Sequence, residues 1–438
     1  MIIDANLLVP TVLLRYIARI KSKSEVGPRD RKTVVVVGGS FAGLAAVREL
    51  QNNALFRVIL IDQNEYFEYT PGILRLFCEP DAMQKLAHPM PKGSHQVIKG
   101  TVTRTWNSHV TYVDAETKKP QTIAFDYLIL ATGSTYNHPI TASALETTLK
   151  ARQFGWKASA RRLKEASSAL ILGAGPVGVE LAAEIVDHFK EGRSRKSVTL
   201  VDMATTLVPV FPKGTADYAE QWLKDHGVNL VLGQLLESWD DHGCTLKNGK
   251  IIRADIVYVC FGDKPNSDPL VSETDNKKGA GNSGTMSPVR LDRRKCIQVD
   301  EFMRVEGRRN VFCCGDVSAP PTDGIKQAFH AEVQGHLAAN NVIRLATGRP
   351  FERYPQDAAL GSDSIPLVYV LSLGKCNGVI GLNGLCIPGP LAPIVKWIIE
   401  WTKVRQMLGR PVGILIWKIG EPLAMFLGKF ISLPTKHA

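Results

Sequence analysis

Short apolar runs that end at a glycine or an acidic residue recur along the chain and predict buried parallel strands. Residues 34–37 are the first of these, because four valines in succession are typical of a strand covered on both faces. A glycine-rich turn at residues 38–43 follows at once, and residues 44–50 have a helical composition. A strand, a glycine turn and a helix in this order open a dinucleotide-binding βαβ unit.

This first turn departs from the full dinucleotide-binding spacing at one position. Gly38 permits the tight turn and Gly43 lets the helix pack on the strand, but Ser40 stands where a glycine would let backbone approach a pyrophosphate. The turn alone is therefore equally compatible with a nucleotide site and with a structural turn. Asp62 ends the next predicted strand, 19 residues beyond Gly43, where a carboxylate can bond a ribose hydroxyl. The candidate turn residues are Gly38, Gly39, Ser40, Phe41, Ala42 and Gly43.

A second βαβ unit begins at residue 169 and has the full glycine spacing. Its glycines are Gly173, Gly175 and Gly178, and the strand predicted at residues 198–201 ends at Asp202, 24 residues after Gly178. A carboxylate at this place would repel a 2′-phosphate, so it favours NADH over NADPH. Two such units in one chain predict two bound dinucleotides.

Two further apolar strands end in residues that can approach a ligand. The strand at residues 127–133 ends at Thr132 and Gly133, a turn that can bring backbone close to a nucleotide. The strand at residues 310–317 carries Asp316 at its tip, either as an exposed strand end or as a partner for a polyol or ribityl hydroxyl. A long helix is predicted at residues 324–345.

The last hundred residues change character. Strands are predicted at residues 367–371 and 378–380, and from residue 388 onward the chain is apolar and basic, with interspersed tryptophans. This composition favours helices lying in a membrane interface over a domain packed on the core, and no uninterrupted apolar run reaches the roughly 18 residues of a spanning helix. The apolar and basic N-terminal segment, residues 1–31, predicts an amphipathic surface helix or a mitochondrial address.

Composition narrows the class of protein. The 438 residues suffice for two or three domains, and the net charge of +11 is compatible with nucleic acid, an anionic membrane or a generally basic surface. Spread basic residues and the lack of a nucleic-acid-binding motif favour the last, so no specific nucleic acid is expected. The eight cysteines form no CxxC or CxxxxC pair, which indicates no metal site and excludes a disulfide reductase with a dithiol beside the first turn.

Taken together, GGSFAG with Asp62, LATG, GAGPVG with Asp202 and VFCCGD resemble the FAD/NAD(P)H oxidoreductases that bind two dinucleotides. Within that superfamily the chain is similar to the ferroptosis suppressor proteins, also called apoptosis-inducing-factor homologues, which are NADH-dependent quinone reductases. The matching segments are GILR at Arg75, LILATGST, GVELAAEI, KQAFHAEVQGHLAANN and LSLGKCNGV. The related type II NADH dehydrogenases carry glutamines at their quinone site, where this chain has Ala328 and Glu332. This difference makes the resemblance to the type II NADH dehydrogenases the weaker of the two.

The resemblance implies an α/β fold with two Rossmann-like domains of the glutathione-reductase type and a C-terminal α+β region. The NAD domain would be inserted into the FAD domain. The expected boundaries are an N-terminal segment at 1–31, FAD domain at 32–150 and 296–345, NADH domain at 151–295, and C-terminal domain at 346–438.

The resemblance also implies which residues bind the cofactors. For FAD they are the first turn, Asp62, Arg75, Val102 and Asp316; for NADH they are Gly173, Gly175, Gly178, Glu180 and Asp202. Thr132, Gly133 and Lys326 are further candidate cofactor-binding residues. Glu180, near the nicotinamide, and Lys403, near the flavin and quinone path, are the candidate catalytic residues.

The sequence thus predicts an NADH:quinone oxidoreductase with FAD, NADH as co-substrate, a quinone as second substrate and peripheral membrane contact. A redox-controlled binding or signalling protein with incidental NADH oxidation is the alternative. The expected location is cytoplasmic and peripheral on membranes, or mitochondrial, and a homodimer is compatible with the family. The family's myristoylated Met-Gly start is not matched, since residue 2 is isoleucine.

Overall fold

A computed structural model describes residues 30–192, 195–268, 289–322 and 325–432. The predicted helix or address of the N-terminal segment 1–31 lies almost entirely outside these residues. The described helices, numbered in chain order, are α1 (Phe41–Leu50), α2 (Met83–Leu86), α3 (Leu149–Glu165), α4 (Pro176–His188), α5 (Lys213–Asp225), α6 (Ala328–Ala346), α7 (Leu391–Met407) and α8 (Pro411–Gly428). Two 3₁₀ helices cover Thr70–Phe77 and Pro80–Ala82.

The first glycine turn joins the central strand of a seven-stranded sheet to α1. Five strands of that sheet run parallel and the last two are antiparallel. In spatial order they are Val311–Cys313, Tyr127–Leu130, Lys32–Val37, Phe56–Asp62, Gln96–Thr105, His109–Asp114 and Pro120–Ala124. The edge strand Val311–Cys313 comes from beyond the second βαβ unit, so the second unit is inserted into the first, as the sequence predicted.

The second glycine turn belongs to a separate parallel sheet. Its strands, in spatial order, are Asn229–Val231, Ser197–Val201, Ser168–Leu172 and Ile256–Val259. An antiparallel sheet of Leu236–Asp240, Gly243–Leu246 and Ile251–Arg253 lies next in the chain. Short strand pairs join Tyr66–Glu68 with Ala87–Pro89, Ser134–Thr135 with Lys264–Pro265, and Ile297–Gln298 with Ser318–Ala319.

The C-terminal region combines a three-stranded antiparallel sheet with the helix pair α7 and α8. The strands are Val368–Leu373, Asn377–Leu382 and Leu385–Pro388, of which the sequence predicted the first two. Helix α6 packs closely on α1, since a Cβ at Gly335 would lie 2.1 Å from the carbonyl oxygen of Ala42. Together with the two Rossmann-like units, this is the predicted α/β fold with a C-terminal α+β region.

Two predicted elements are shorter than expected. The strand predicted at residues 310–317 ends at Cys313, because Gly315 adopts a φ of +77° that a strand cannot contain. The helix predicted from residue 324 begins at Ala328, since Gln327 before it is extended. Lys326, just ahead of the helix, donates from its ammonium to the carbonyl oxygen of Ser318. As a result, Asp316 and Lys326 lie in loops and not in the predicted strand and helix.

Candidate functional site

The two glycine turns have the same geometry. Gly38 and Gly173 adopt φ values of +105° and +110°, which side chains other than glycine rarely tolerate. A Cβ at Gly43 would lie 1.8 Å from the carbonyl oxygen of Gly38, and one at Gly178 would lie 1.8 Å from that of Gly173. At all four positions the turn itself requires glycine.

The middle position of the second turn is different, because no packing contact within the described part of the chain requires glycine there. A Cβ at Gly175 would have no described atom within 4 Å. In the first turn the exposed Ser40 stands directly before α1 and makes no capping hydrogen bond to it. Both turns thus leave open space at a helix N-terminus, whose N–H groups suit a diphosphate.

One carboxylate follows each turn in space, and the two are held identically. Asp62 accepts from the backbone N–H of Gly39 at 2.5 Å and of Asn64 at 2.7 Å. Asp202 accepts from Ala174 at 2.5 Å and from Ala204 at 2.7 Å. Each carboxylate is therefore fixed at the end of its strand, beside the turn, where a ribose hydroxyl would reach it.

Burial acts on the pKa of the first of these carboxylates. Desolvation raises the pKa of Asp62 above its usual range, and the N–H donors of Asn64 and Gly39 oppose that rise.

Thr132 and Gly133 connect the two units. The Thr132 hydroxyl donates to the carbonyl oxygen of Asn266 at 2.7 Å, and the Asn266 amide donates back to the Thr132 carbonyl oxygen at 2.9 Å. The N–H of Asn266 also donates to the carbonyl oxygen of Gly133 at 2.9 Å. These bonds fix the end of the Tyr127–Leu130 strand against the inserted unit.

Asp316 lies at the same edge of the first sheet. It accepts from the Ser134 hydroxyl at 3.2 Å. Desolvation raises the pKa of Asp316, while the nearby Lys326 ammonium lowers it. The strand-end acid predicted from sequence is therefore half-buried and lines a cavity together with Lys326 of the loop before α6.

Two predicted FAD residues lie apart from this edge. Val102 is buried in the Gln96–Thr105 strand opposite Tyr112. The Arg75 guanidinium pairs with Glu400 of α7 and donates to the carbonyl oxygen of Gly72 at 3.2 Å. Nothing in the sequence had indicated Glu400 as the partner of Arg75.

A cavity of about 670 Å³ lies where the two units, the C-terminal sheet and the helices α7 and α8 meet. Glu180, Lys326 and Lys403 all face it, so the structure brings both candidate catalytic residues to one site. Most of the wall is apolar. Representative wall residues are Phe41, Tyr69, Val177, Phe211, Tyr369 and Ile399.

Glu180 is held at one side of this cavity by the C-terminal region. One of its carboxylate oxygens accepts from the Ser372 N–H at 2.8 Å, the Ser372 hydroxyl at 3.0 Å and the Lys396 ammonium at 2.7 Å. Sequence reasoning missed Ser372, and it counted Lys396 only among the basic residues of a membrane-facing segment.

Lys403 is held at another side by two carboxylates. Its ammonium lies 2.6 Å from Glu332 and 2.7 Å from Glu421, and 3.7 Å from the centre of the Trp417 ring. Glu332 also pairs with Arg48 at 2.7 Å. Burial would raise the pKa of Glu332, but the Lys403 and Arg48 cations outweigh it and hold that pKa below its usual range.

The sequence pattern of the pyridine nucleotide-disulphide oxidoreductases matches residues 32–335, which include both glycine turns, both strand-end carboxylates and Asp316. The chain belongs to this family.

Several relatives align with this chain over most of its length. Apoptosis-inducing factor homolog B of Dictyostelium discoideum is 24% identical over 385 residues, covering 83% of this chain and 92% of its own. Ferroptosis suppressor protein 1 of Homo sapiens is 26% identical over 383 residues, with coverage of 83% and 92%. The mitochondrial external alternative NAD(P)H-ubiquinone oxidoreductase B3 of Arabidopsis thaliana is 23% identical over 344 residues, covering 67% of this chain and 55% of its own. The predicted resemblance to the ferroptosis suppressor proteins is confirmed.

Solved structures confirm the predicted fold. The sulfide:quinone oxidoreductase of Aquifex aeolicus superimposes with a TM-score of 0.68 at 16% identity, covering 89% of this chain and 95% of its own. NDH2 from Plasmodium falciparum, in complex with NADH, gives a TM-score of 0.64 at 13% identity, with coverage of 90% and 99%. This pyridine nucleotide-disulphide oxidoreductase therefore has the fold expected from its two βαβ units.

Proposed function

We propose that this protein is an FAD-dependent oxidoreductase that takes a hydride from NADH and passes electrons to a quinone. The observation that carries the proposal is that Phe41 of the first turn and Val177 of the second both line one mostly apolar cavity, which α7 and α8 also border. The name of one relative, an NAD(P)H-ubiquinone oxidoreductase, supports a quinone as the electron acceptor. Family membership supports the pyridine nucleotide.

The first unit would hold FAD. The turn at Gly38 and the α1 N-terminus would bind the pyrophosphate, Asp62 a ribose hydroxyl, and Asp316 a ribityl hydroxyl. The open space at the turn and the acceptor-only carboxylates fit such a ligand. When bound, FAD supplies the capacity to accept a hydride and to release electrons.

The second unit would hold NADH. The turn from Gly173 to Gly178 would bind the pyrophosphate and Asp202 the adenosine ribose. Glu180 lies on α4, the helix that begins at this turn, so it would stand near the nicotinamide end. Ser372 and Lys396 fix the Glu180 carboxylate and thereby shape that end of the cavity.

The purified protein should be yellow and should oxidise NADH when a short-chain quinone is added. We expect kcat/KM for NADH to exceed that for NADPH by about tenfold or more, because the Asp202 carboxylate would repel a 2′-phosphate. Absorbance spectra and steady-state assays with both nucleotides measure this. Colourless protein would contradict the FAD site, and absence of quinone turnover would contradict the acceptor.

We further propose that α7 and α8 contact a membrane surface. Of the described helices, Pro411–Gly428 is apolar and long enough, by length and composition, to cross a membrane, a length that the sequence had not suggested. Its Glu421 is engaged by Lys403 in the protein. Large apolar side chains cover the outside of the pair, here named the C-terminal apolar face. They are Leu391, Ile394, Trp397, Ile398, Val412, Leu415, Ile416, Ile419, Leu423, Phe426 and Phe430.

The chemistry of this face fits the interface of an anionic bilayer. Each large apolar side chain contributes about 1.5–3 kcal/mol when it is fully removed from water, so partial burial of several suffices for binding. The basic residues Arg405, Arg410, Lys418 and Lys429 lie on or next to the same helices and would attract anionic headgroups. A lipid-soluble acceptor could then reach the cavity from the bilayer.

Charged substitutions on the C-terminal apolar face should release the protein from membranes. We expect the double variant Trp397→Asp, Ile419→Asp to float with phosphatidylserine-containing vesicles about tenfold less than the unchanged protein, because both side chains are more than half exposed there. Phe154→Asp on α3, also an exposed apolar residue, is the matched control and should float normally. Equal flotation of both variants would contradict the proposed face.

A further inference from the structure

Two large aromatic side chains stand partly exposed beside the second glycine turn. A Cβ at Gly173 would lie 3.4 Å from the Cβ of Phe261, which follows the strand Ile256–Val259. Trp239 contacts Phe261 edge to face, with 5.3 Å between the ring centres and 79° between the ring planes. The exposed fraction is 48% for Trp239 and 36% for Phe261. Neither side chain is among those that line the cavity of about 670 Å³.

The strand register shows which way Trp239 faces. It belongs to the antiparallel sheet of the second unit, where it pairs with Cys244, which in turn pairs with Ile252. Directly paired residues lie on one face of a sheet, so these three side chains share a face. Cys244 is buried and packs with Leu172 of the parallel sheet. Trp239 is therefore on the core-facing side of its sheet, and yet nearly half of it is exposed.

The aromatic pair stands where an open parallel sheet binds a ligand. One strand of the second unit ends at Asp202, which the exposed Met203 follows, and another leads to Phe261. The strand that enters the glycine turn lies between these two. Ligands bind outside the carboxyl ends of such strands. A nucleotide whose ribose reaches Asp202 would bring its base to the space between Met203 and the aromatic pair.

We propose that Trp239 and Phe261 bind the adenine of the hydride donor by stacking, so that the protein needs a dinucleotide and uses a nicotinamide mononucleotide poorly. This inference rests on the NADH site proposed above. Adenine is flat and has π-faces, and aromatic side chains bind bases by stacking on such faces. A stacked base would also remove from water the apolar surface that the two rings now expose.

The contact between the two rings suits this task. In an edge-to-face pair one ring presents its edge, so neither face of that ring touches the other ring. A full ring face of the pair is thereby left for a base. The contact also restrains both side chains before the nucleotide arrives, which reduces the entropy lost on binding.

The decisive variant is Trp239→Ala. We expect the Kd of ADP-ribose, which carries adenosine and pyrophosphate but no nicotinamide, to rise about tenfold, because a stacked base loses its aromatic partner. Calorimetry on the flavin-replete protein measures this. KM for NADH should rise by a similar factor with kcat unchanged. For reduced nicotinamide mononucleotide, which has no adenosine, kcat/KM should stay the same. Trp239→Phe keeps an aromatic face and should recover most of the affinity.

The matched control is Ile251→Ala in the same antiparallel sheet. Ile251 is 56% exposed and pairs with Thr245, so it lies on the opposite face from Trp239. Its replacement should leave the Kd of ADP-ribose and the KM for NADH unchanged. Flavin content and Tm show whether each variant is folded.

Fluorescence gives a readout that does not depend on turnover or on a truncated side chain. ADP-ribose does not absorb at the wavelengths of tryptophan emission, so a change in emission on binding reports the surroundings of the indole. The unchanged protein should lose emission when ADP-ribose binds, and Trp239→Phe should lose much less. An equal loss in both proteins would contradict contact between Trp239 and the base.

The outcomes separate this proposal from the proposed function. If the unchanged protein neither binds ADP-ribose nor oxidises NADH, the NADH site itself fails, and the stacking role fails with it. If it oxidises NADH, and Trp239→Ala binds ADP-ribose as tightly as Ile251→Ala does, only the stacking role is overturned. Equal losses of kcat/KM with NADH and with the reduced mononucleotide also overturn it, because the defect would then not involve adenosine.

Discussion

Replacing Gly43 by alanine should leave the protein almost without bound flavin. The added Cβ would lie 1.8 Å from the carbonyl oxygen of Gly38, and Gly38 cannot withdraw, since its own Cα faces the backbone of Ala131. Relief of the clash requires α1 to move away from the strand that it follows. Overpacking of this kind costs about 1–3 kcal/mol or more, which corresponds to roughly a tenfold to hundredfold loss of flavin affinity when α1 shifts. The ratio of flavin to protein absorbance, with Tm, measures the effect.

Gly175→Ala is the informative counterpart. Its Cβ would meet no described atom within 4 Å, so Tm and flavin content should not change. The methyl group would project into the space where the NADH pyrophosphate is proposed to lie, so KM for NADH should rise by about tenfold or more. A lower Tm with an unchanged KM would show that this glycine serves the fold and not the nucleotide.

Replacing Asp202 by alanine should remove the preference for NADH. The carboxylate is proposed to bond the adenosine ribose, and such a bond to a charged group is worth about 1.5–3 kcal/mol, so kcat/KM for NADH should fall about tenfold to a hundredfold. NADPH should gain, because the negative charge that repels its phosphate is gone. The ratio of the two kcat/KM values, measured with one quinone, reports the change.

The control for Asp202 is Asp255, which lies at the opposite end of the strands of the same sheet. Asp255 accepts from the N–H groups of Ser167 and Ser168 at 2.8 and 2.9 Å, before the strands begin. Asp255→Ala therefore removes a similarly bonded carboxylate at the end of the sheet where nucleotides do not bind. An unchanged nucleotide ratio in Asp202→Ala, or an equal change in Asp255→Ala, would contradict the ribose role.

The sequence was sufficient for the parts of the site that depend on local backbone geometry. A glycine turn between a buried strand and a helix has few conformations, so Gly38, Gly43, Gly173 and Gly178 could be placed before any contact was known. The spacing to Asp62 and Asp202 followed in the same way, because one helix and one strand span a nearly constant length. The binding roles of these residues stay predictions.

The sequence predicted less where a motif was compatible with more than one structural role. Asp316 was equally compatible with an exposed strand end, and only the structure shows it half-buried, with Ser134 as its hydrogen-bond donor. Glu332 was noticed only as a departure from related glutamines. Its pairing with Arg48 and Lys403 depends on how α1, α6 and α7 pack, which no spacing encodes.

By itself the sequence determined the two dinucleotide units, their order and the family, because each motif is written in residues close together in the chain. Only the tertiary structure decided the cavity, in which Glu180 meets Lys396 from 216 residues away and Lys403 meets Glu332 from 71 residues away. Helical periodicity tells which face of a helix is apolar, but not which distant charge that face will meet. Burial then makes such pairings specific, since an ion removed from water needs its partner.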